Sequence, residues 1–259
     1  MGSDMMLWHL LTKQTLMEDE TYLKEDAQHV LRWLLAQGVV FEGRSVLDIG
    51  CGSGALSIPI LAQGANVTML DLSAKMLQYV QEKMIEGDVT LWHDNWHTSS
   101  SEQRYDIVIA SMTPAIKHEA HLEKMIRSTR SIGIFVGWKD YRVNSFLDHL
   151  LLAHHAEESS SKESMDVKTF LKELEKRSIS YNVHYFQTAW QRTFTYQEAV
   201  EYAKRQLLGR HIFPDQRKID AIWQDEQRQG VLHATSRAQK GVVVFSKCPL
   251  LKEMSLVCV

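Results

Sequence analysis

From Ser45 onward, short apolar runs alternate with stretches whose apolar residues recur every three or four positions. The short runs predict strands over 45–49, 66–70, 89–92, 105–110 and 131–138. The intervening stretches predict helices over 53–63, 73–84, 115–130 and 143–155. Pro59 falls inside the first of these, so it kinks that helix or sits close enough to its start to be tolerated. Residues 1–42 read as helical. Between 24 and 37 the apolar positions Ala27, Val30, Leu31, Leu34 and Leu35 keep helical spacing, and Gly38 suits a stop. Residues 156–166 are polar and serine-rich, hence a surface loop. A helix follows, with Val167, Phe170, Leu171 and Leu174 on one stripe. Residues 181–194 are rich in aromatic and β-branched types and read as a strand with its following turn. Thr195 and Glu198 have the spacing of a capping box. A further helix follows Pro214-Asp215, carrying Ile219, Ile222 and Trp223, with Gly230 at its end. Residues 231–247 close the pattern as a strand. Strand–helix alternation of this kind predicts an α/β fold: a doubly wound, mostly parallel sheet with helices on both faces.

Composition excludes several classes. With 259 residues, 44% hydrophobic and 24% charged, the chain is neither disordered nor collagen-like. No apolar run approaches the ~18 residues of a membrane span. The net charge of −3 gives no sign of a polyanion binder. Cys51, Cys248 and Cys258 are too few and too scattered for a disulfide framework or a structural zinc site. Without a signal-peptide layout at the start, a cytoplasmic protein is expected.

The chemistry concentrates in Val46-Leu47-Asp48-Ile49-Gly50-Cys51-Gly52-Ser53-Gly54, an apolar strand running into a glycine-rich turn and then a helix. Glycines allow positive φ and close approach of a ligand to the main chain. The second strand ends in Asp71, placed to accept hydrogen bonds from ribose hydroxyls. A nucleoside-containing ligand at the carboxyl ends of the first two strands is therefore expected. The glycine spacing is G-x-G-x-G rather than G-x-G-x-x-G, and Asp48 stands two residues before the first glycine. A carboxylate there repels a pyrophosphate and suits a cationic ligand. That favours S-adenosylmethionine, with its amino group and sulfonium, over a nicotinamide dinucleotide.

These motifs resemble those of class I S-adenosylmethionine-dependent methyltransferases. The resemblance covers about residues 25–140. It carries Val46–Gly54 as the glycine-rich motif, Asp71 as the ribose acid, and Leu72-Ser73-Ala74-Lys75-Met76-Leu77 as its continuation. It implies roughly seven strands, the last pair antiparallel. It makes Asp48, Gly50, Cys51, Gly52, Ser53 and Gly54 the turn around the methionine part, with Ser111 beside it at the end of the fourth strand. Leu72 and Met76 flank the adenine, Asp94 accepts from its amino group, and Asn95 or Trp96 offers an amide or a stacking face. One methyltransferase domain is expected: a helical cap over 1–41, a cofactor-binding half over 42–155, and a C-terminal half over 156–259 with a helical insertion at about 196–230. The acceptor is expected to be a small molecule, with Tyr22, Met112, Pro114 and Trp138 as candidates for its pocket. Alternatives are an RNA methyltransferase or a cofactor-binding module without transfer activity.

Other features have plainer readings. Ser111-Met112-Thr113-Pro114 lacks the Asn/Asp-Pro-Pro-aromatic tetrad of many amino-group methyltransferases. Cys51 sits between two glycines as a tolerant spacer, with no base partner in view. His93, His97, His118 and His121 read as solvated or core-edge groups, and no metal is assigned. Residues 201–247 hold nine Lys/Arg against five Asp/Glu, a surplus read as a solvated helical face rather than an RNA-binding one, since no aromatic-plus-basic alternation accompanies it.

Overall fold

The computed structural model describes residues 20–83, 87–99, 104–156 and 164–246. In chain order the elements are α1 (Glu20–Ala36), β1 (Ser45–Ile49), α2 (Ser57–Leu61), β2 (Asn66–Asp71), α3 (Ala74–Lys83), β3 (Val89–His93) and β4 (Tyr105–Ser111). They continue as α4 (Glu119–Ser128), β5 (Thr129–Asn144), α5 (Ser145–Ala153), α6 (Val167–Lys176), β6 (Ser180–Phe194), α7 (Tyr196–Leu208), α8 (Gln216–Glu226) and β7 (Leu232–Ser246). The seven strands form one sheet in the order β3-β2-β1-β4-β5-β7-β6. Strands β3, β2, β1, β4 and β5 pair in parallel. Gly133 lies under the Phe245 ring, while Gly137 and Gly241 both approach Val167, so β7 runs opposite to β5. Likewise Tyr185 lies against Gly241 and Thr193 hydrogen-bonds His233, so β6 runs opposite to β7.

The chain divides into two compact units. Of the described residues, the larger contains 20–83, 87–99, 104–139, 164–186 and 240–246, and holds a core on each face of the sheet. On one face, Val46, Ile109, Val136 and Val242 meet Val30, Leu31 and Leu34 of α1, Ile60 of α2 and Val80 of α3. On the other, Leu47, Val108, Phe135 and Phe245 meet Leu122 and Met125 of α4 and Phe170 and Leu174 of α6. The Phe135 and Phe170 rings stack with centroids 4.0 Å apart. Helices on both faces, each contributing one apolar stripe, are what the alternation predicts. Within the α1 stripe Leu35 is the exception, since it lies on the exposed side.

Of the described residues, the smaller unit contains 140–156 and 187–239. Its core joins Phe146 and Leu150 of α5, Ala199 and Leu207 of α7, Ile219 and Trp223 of α8, and Phe194 and Leu232 from the strands. Both helices after β6 start as predicted. Thr195 and Glu198 form a complete capping box for α7, and Asp215 caps α8 by accepting from the Arg217 amide at 3.0 Å. The helices α7 and α8 fall between β6 and β7, where the insertion is expected.

Several helices are shorter than their pattern: α5 spans Ser145–Ala153 rather than 143–155, and α8 ends at Glu226, four residues before Gly230. Helix α2 spans only Ser57–Leu61 rather than 53–63, because the glycine turn continues to Gly54 and residues 55–56 form a further turn. Pro59 sits in the first turn of this short helix, where its missing N–H breaks no helical bond. Helix α4 begins at Glu119 rather than 115, with His118 in extended conformation before it.

Candidate functional site

Parallel strands leave their carboxyl ends and the following loops on one edge of the sheet, and the expected residues of the larger unit gather there. The β1–α2 turn is fastened to β2 by the amides of Gly50 and Cys51, which both donate to the Leu70 carbonyl, at 2.7 and 3.0 Å. Gly50 has φ +69°, and a Cβ on it would stand 2.1 Å from Thr113 Oγ1, so the β1 and β4 loops touch only because the residue is glycine. Gly52 differs. Its φ is +54°, and a Cβ there would meet nothing within 4 Å. The turn thus exposes bare backbone to open space at Gly52.

Two carboxylates flank this backbone. Asp48 points to the face of its neighbour-but-one Val46, is 2% exposed, and accepts from Ser57 Oγ at 2.5 Å through Oδ2. Its Oδ1 is buried without a hydrogen-bond partner. Burial raises the Asp48 pKa to about 6; the Ser57 hydrogen bond works against this rise, and the nearby charge of Asp71 adds to it. Asp71 accepts from the Gly52 amide and the Ser73 amide, both at 2.8 Å. Burial raises its pKa too, partly offset by those amides and by His93. Two acids beside an open glycine turn make a site for a cation and a poor one for a phosphate.

The rest of the expected set lies around this pair. Ser53 is half-buried in the turn, and the Gly54 amide donates to the Cys51 carbonyl at 3.0 Å. Burial pushes the Cys51 thiol far up, so it stays protonated. Leu72 is 46% exposed directly after Asp71, while Met76 is buried on α3. The Asp94 amide donates to the Asp71 carbonyl at 3.2 Å, which brings the β3 loop beside the β2 end. Asp94 Oδ1 accepts from the Asn95 amide at 2.7 Å, and Asn95 Oδ1 accepts from the His97 amide at 2.9 Å. The Trp96 ring is buried in the core under α4. What it can offer a ligand is therefore its main chain rather than the stacking face expected as one option from the sequence.

Beyond β4, Ser111 and Pro114 are half-buried. Between them Met112 takes φ +50°, a strained value for a side chain of its size, and its amide donates to the Val136 carbonyl at 2.8 Å. Tyr22 and Trp138 are brought together by a residue that sequence reasoning missed. Lys240, 2% exposed, donates to Tyr22 Oη and pairs with the Asp26 carboxylate. Its ammonium lies 4.6 Å from the Tyr22 ring centroid and 4.9 Å from that of Trp138. By strand alternation Trp138 shares a face with Val136, and Lys240 with Val242. That is the face of Asp48. No spacing rule joins position 240 to positions 22 and 26.

The histidines take edge positions. His97 and His121 stack at 3.7 Å, and His97 Nε2 bonds the Ala115 carbonyl. No group of three or more His, Cys, Asp or Glu among the described residues could hold a metal. A shallow cavity lined by Arg44, Asp106 and Ser131 lies at the starts of β1, β4 and β5, the opposite edge from these loops.

Comparison with known proteins bears on the fold that carries these residues. A family model described as "Methyltransferase domain" matches residues 46–133, the stretch from β1 into β5. The matched stretch belongs to the class I, Rossmann-like methyltransferase superfamily. The ubiquinone biosynthesis O-methyltransferase of Erwinia tasmaniensis is 34% identical over 82 residues, which are 30% of this methyltransferase chain and 34% of that protein. The Escherichia coli O9:H4 (strain HS) protein of the same name is 27% identical over 142 residues, 51% of this chain and 58% of the other. The chain thus matches roughly a third to three-fifths of the length of these relatives. Among solved structures, the magnesium protoporphyrin IX methyltransferase from Synechocystis PCC 6803 with bound SAH superimposes with a TM-score of 0.56 at 16% identity, covering 92% of this chain and 89% of that one. That likeness extends the methyltransferase fold well beyond the 46–133 core. No helix among the described residues is long and apolar enough to cross a membrane.

Proposed function

We propose that this chain is a cytoplasmic methyltransferase that uses S-adenosylmethionine to methylate a small molecule, as one domain spanning 1–259. The observation that carries the cofactor is Asp48: a buried carboxylate with one oxygen fixed by Ser57 and the other unpartnered, next to the open backbone of Gly52. An amino-acid ammonium satisfies that oxygen, and a pyrophosphate does not. When bound, the cofactor supplies a methyl group on a sulfonium, with a neutral thioether as leaving group.

The chain's own residues then have positioning work. Asp48 orients the ammonium end beside Gly50, Cys51, Ser53 and Gly54. Asp71, locked by the Gly52 and Ser73 amides, keeps a second lone pair on each oxygen for the ribose hydroxyls. Asp94 and the Asn95 and Trp96 amides take the adenine edge, with Leu72 and Met76 beside its face. Ser111 stands by the methionine part. Met112 and Pro114 line the acceptor side, with Tyr22 and Trp138 held there by Lys240 and Asp26. The ubiquinone biosynthesis O-methyltransferases are named for a small-molecule pathway, which supports a small acceptor.

Following thermal unfolding during titration with S-adenosylhomocysteine and, separately, NADH tests the reading. Only the former should stabilise, by about 2.7 kcal/mol at 100 times its dissociation constant. Asp71→Ala should lose most of that gain. Equal behaviour of variant and wild type, or stabilisation by NADH alone, would refute it.

A further inference from the structure

The loop after β3 is held from two sides. At its start, Asp94 is tied to the β2 end through the Asp71 carbonyl. Inside, the Asn95 carbonyl accepts from the Thr98 and Ser99 amides at 3.1 and 2.8 Å, which closes it into a tight turn. At its far end stands Lys124 of α4. The Lys124 ammonium donates to the Trp96 carbonyl at 2.5 Å, the Ser99 carbonyl at 2.5 Å and Ser99 Oγ at 2.7 Å. An ammonium has three protons, and one loop of the chain receives all three. The same ammonium lies 4.3 Å from the Trp96 ring centroid, so the indole covers it from another side. Half-burial pushes the Lys124 pKa down and the charge of Asp94 pulls it back up, which puts the two groups within electrostatic reach.

We infer that Lys124 is a positioning residue for the adenine end of the proposed cofactor site. By fixing residues 94–99 it sets where the Asp94 carboxylate and the Asn95 amide stand, and so sets the preference for a 6-aminopurine over a 6-oxopurine. This rests on the reading of Asp94 given above. A 6-amino group donates to a carboxylate. A 6-oxo group turns an acceptor against it and leaves both partners unsatisfied, a mismatch that a well-placed carboxylate punishes steeply. A loop free to shift by an ångström loses that discrimination even when it still binds.

Calorimetric dissociation constants for S-adenosylhomocysteine and S-inosylhomocysteine, with wild type, Lys124→Met and Lys124→Arg, test the inference. Wild type should prefer the adenosyl ligand by about 100-fold. K124M should bring the ratio to about 10-fold or less by weakening the adenosyl ligand, and K124R should restore most of it. A merely structural role would weaken both ligands alike and leave the ratio in place, which overturns the inference. Should K124M fail to melt cooperatively, Ser99→Ala removes one of the three acceptors, and a ratio unchanged from wild type in S99A refutes the role as well. If wild type binds neither ligand, the cofactor reading itself falls. Adenosyl binding with an unaltered ratio in K124M removes only the role of Lys124.

Discussion

Asp48 sets the balance between stability and binding. Its carboxyl ionises at 3.8 in the unfolded chain and at about 6 in the fold, because burial penalises the charge. The folded state therefore holds its proton longer. The Asp48 contribution to stability is full below about pH 4, falls as pH climbs through 4 to 6, and levels off above 6 at a deficit on the order of 3 kcal/mol. Asp48→Asn should accordingly raise the melting temperature of the ligand-free protein at pH 7.5 and leave it unchanged at pH 4. The same variant should bind S-adenosylhomocysteine at least about tenfold more weakly, since it loses a charge-assisted contact. A variant with wild-type affinity would remove Asp48 from the site. The glycines give a second contrast. Gly50→Ala drives a Cβ into Thr113, whereas Gly52→Ala bears only the strain of its positive φ. In denaturant titrations the first should lose several kcal/mol and the second about 1 kcal/mol. Glycine spacing and Asp71 are visible in the sequence because they are local. Thr113 and Lys240 are not, because tertiary structure supplies their partners, and Ser57 is not, because the course of the β1–α2 turn brings it back to Asp48.

Elements announce themselves where one local rule dominates. The capping box of α7 was readable from Thr195 and Glu198, and Thr195→Ala should cost about 1 kcal/mol in chemical unfolding. The start of α4 was not readable, because residues 115–118 are held by tertiary contacts that override a helical pattern. Among them, the Met165 amide donates to the Ile116 carbonyl at 2.8 Å and the Ala115 carbonyl bonds His97, while the Lys117 amide donates locally to His121 Nδ1. This junction should be sensitive to acid. Burial lowers the His121 pKa to about 4, helped by the charges of His97, His118, Lys124 and Lys117; that of His97 is lowered as well. A histidine depressed in the fold binds fewer protons there than in the unfolded chain. Its contribution is present above the unfolded value of 6.5 and is lost as pH falls through 6.5 toward 4. His121→Phe keeps a ring against His97 and cannot protonate. Its melting temperature should fall less than that of wild type between pH 6.5 and 4, and unchanged acid sensitivity would show that the stack carries no such cost.

At the scale of the whole molecule, the alternation of periods sufficed for an α/β sheet covered on both faces, since such burial leaves few other ways to use those segments, and the family resemblance supplied its seven strands. It did not show that β5, β6 and β7 run to 15 or 16 residues and pass from the larger unit into the smaller. The strand signal in 131–138 fades after Trp138 into Lys139-Asp140-Tyr141-Arg142, a polar stretch that reads as a loop end yet continues as strand. The smaller unit has an apolar core of its own, and every residue proposed to grip the cofactor belongs to the larger one. Stability and cofactor affinity should therefore separate. Leu207 is fully buried in the smaller core beside Phe146, Tyr202 and Ile219. Leu207→Ala removes the contacts of a buried leucine and should cost about 2–5 kcal/mol of unfolding free energy. Below the melting range, its dissociation constant for S-adenosylhomocysteine should stay within about twofold of wild type, because the smaller core shares no residue with the cores of the larger unit and sites without shared partners add without coupling. Calorimetric titration at 15 °C against a melting curve of the same preparation makes the comparison. A large loss of affinity alongside the loss of stability would mean that the cofactor site depends on the smaller core, and that the two units respond as one.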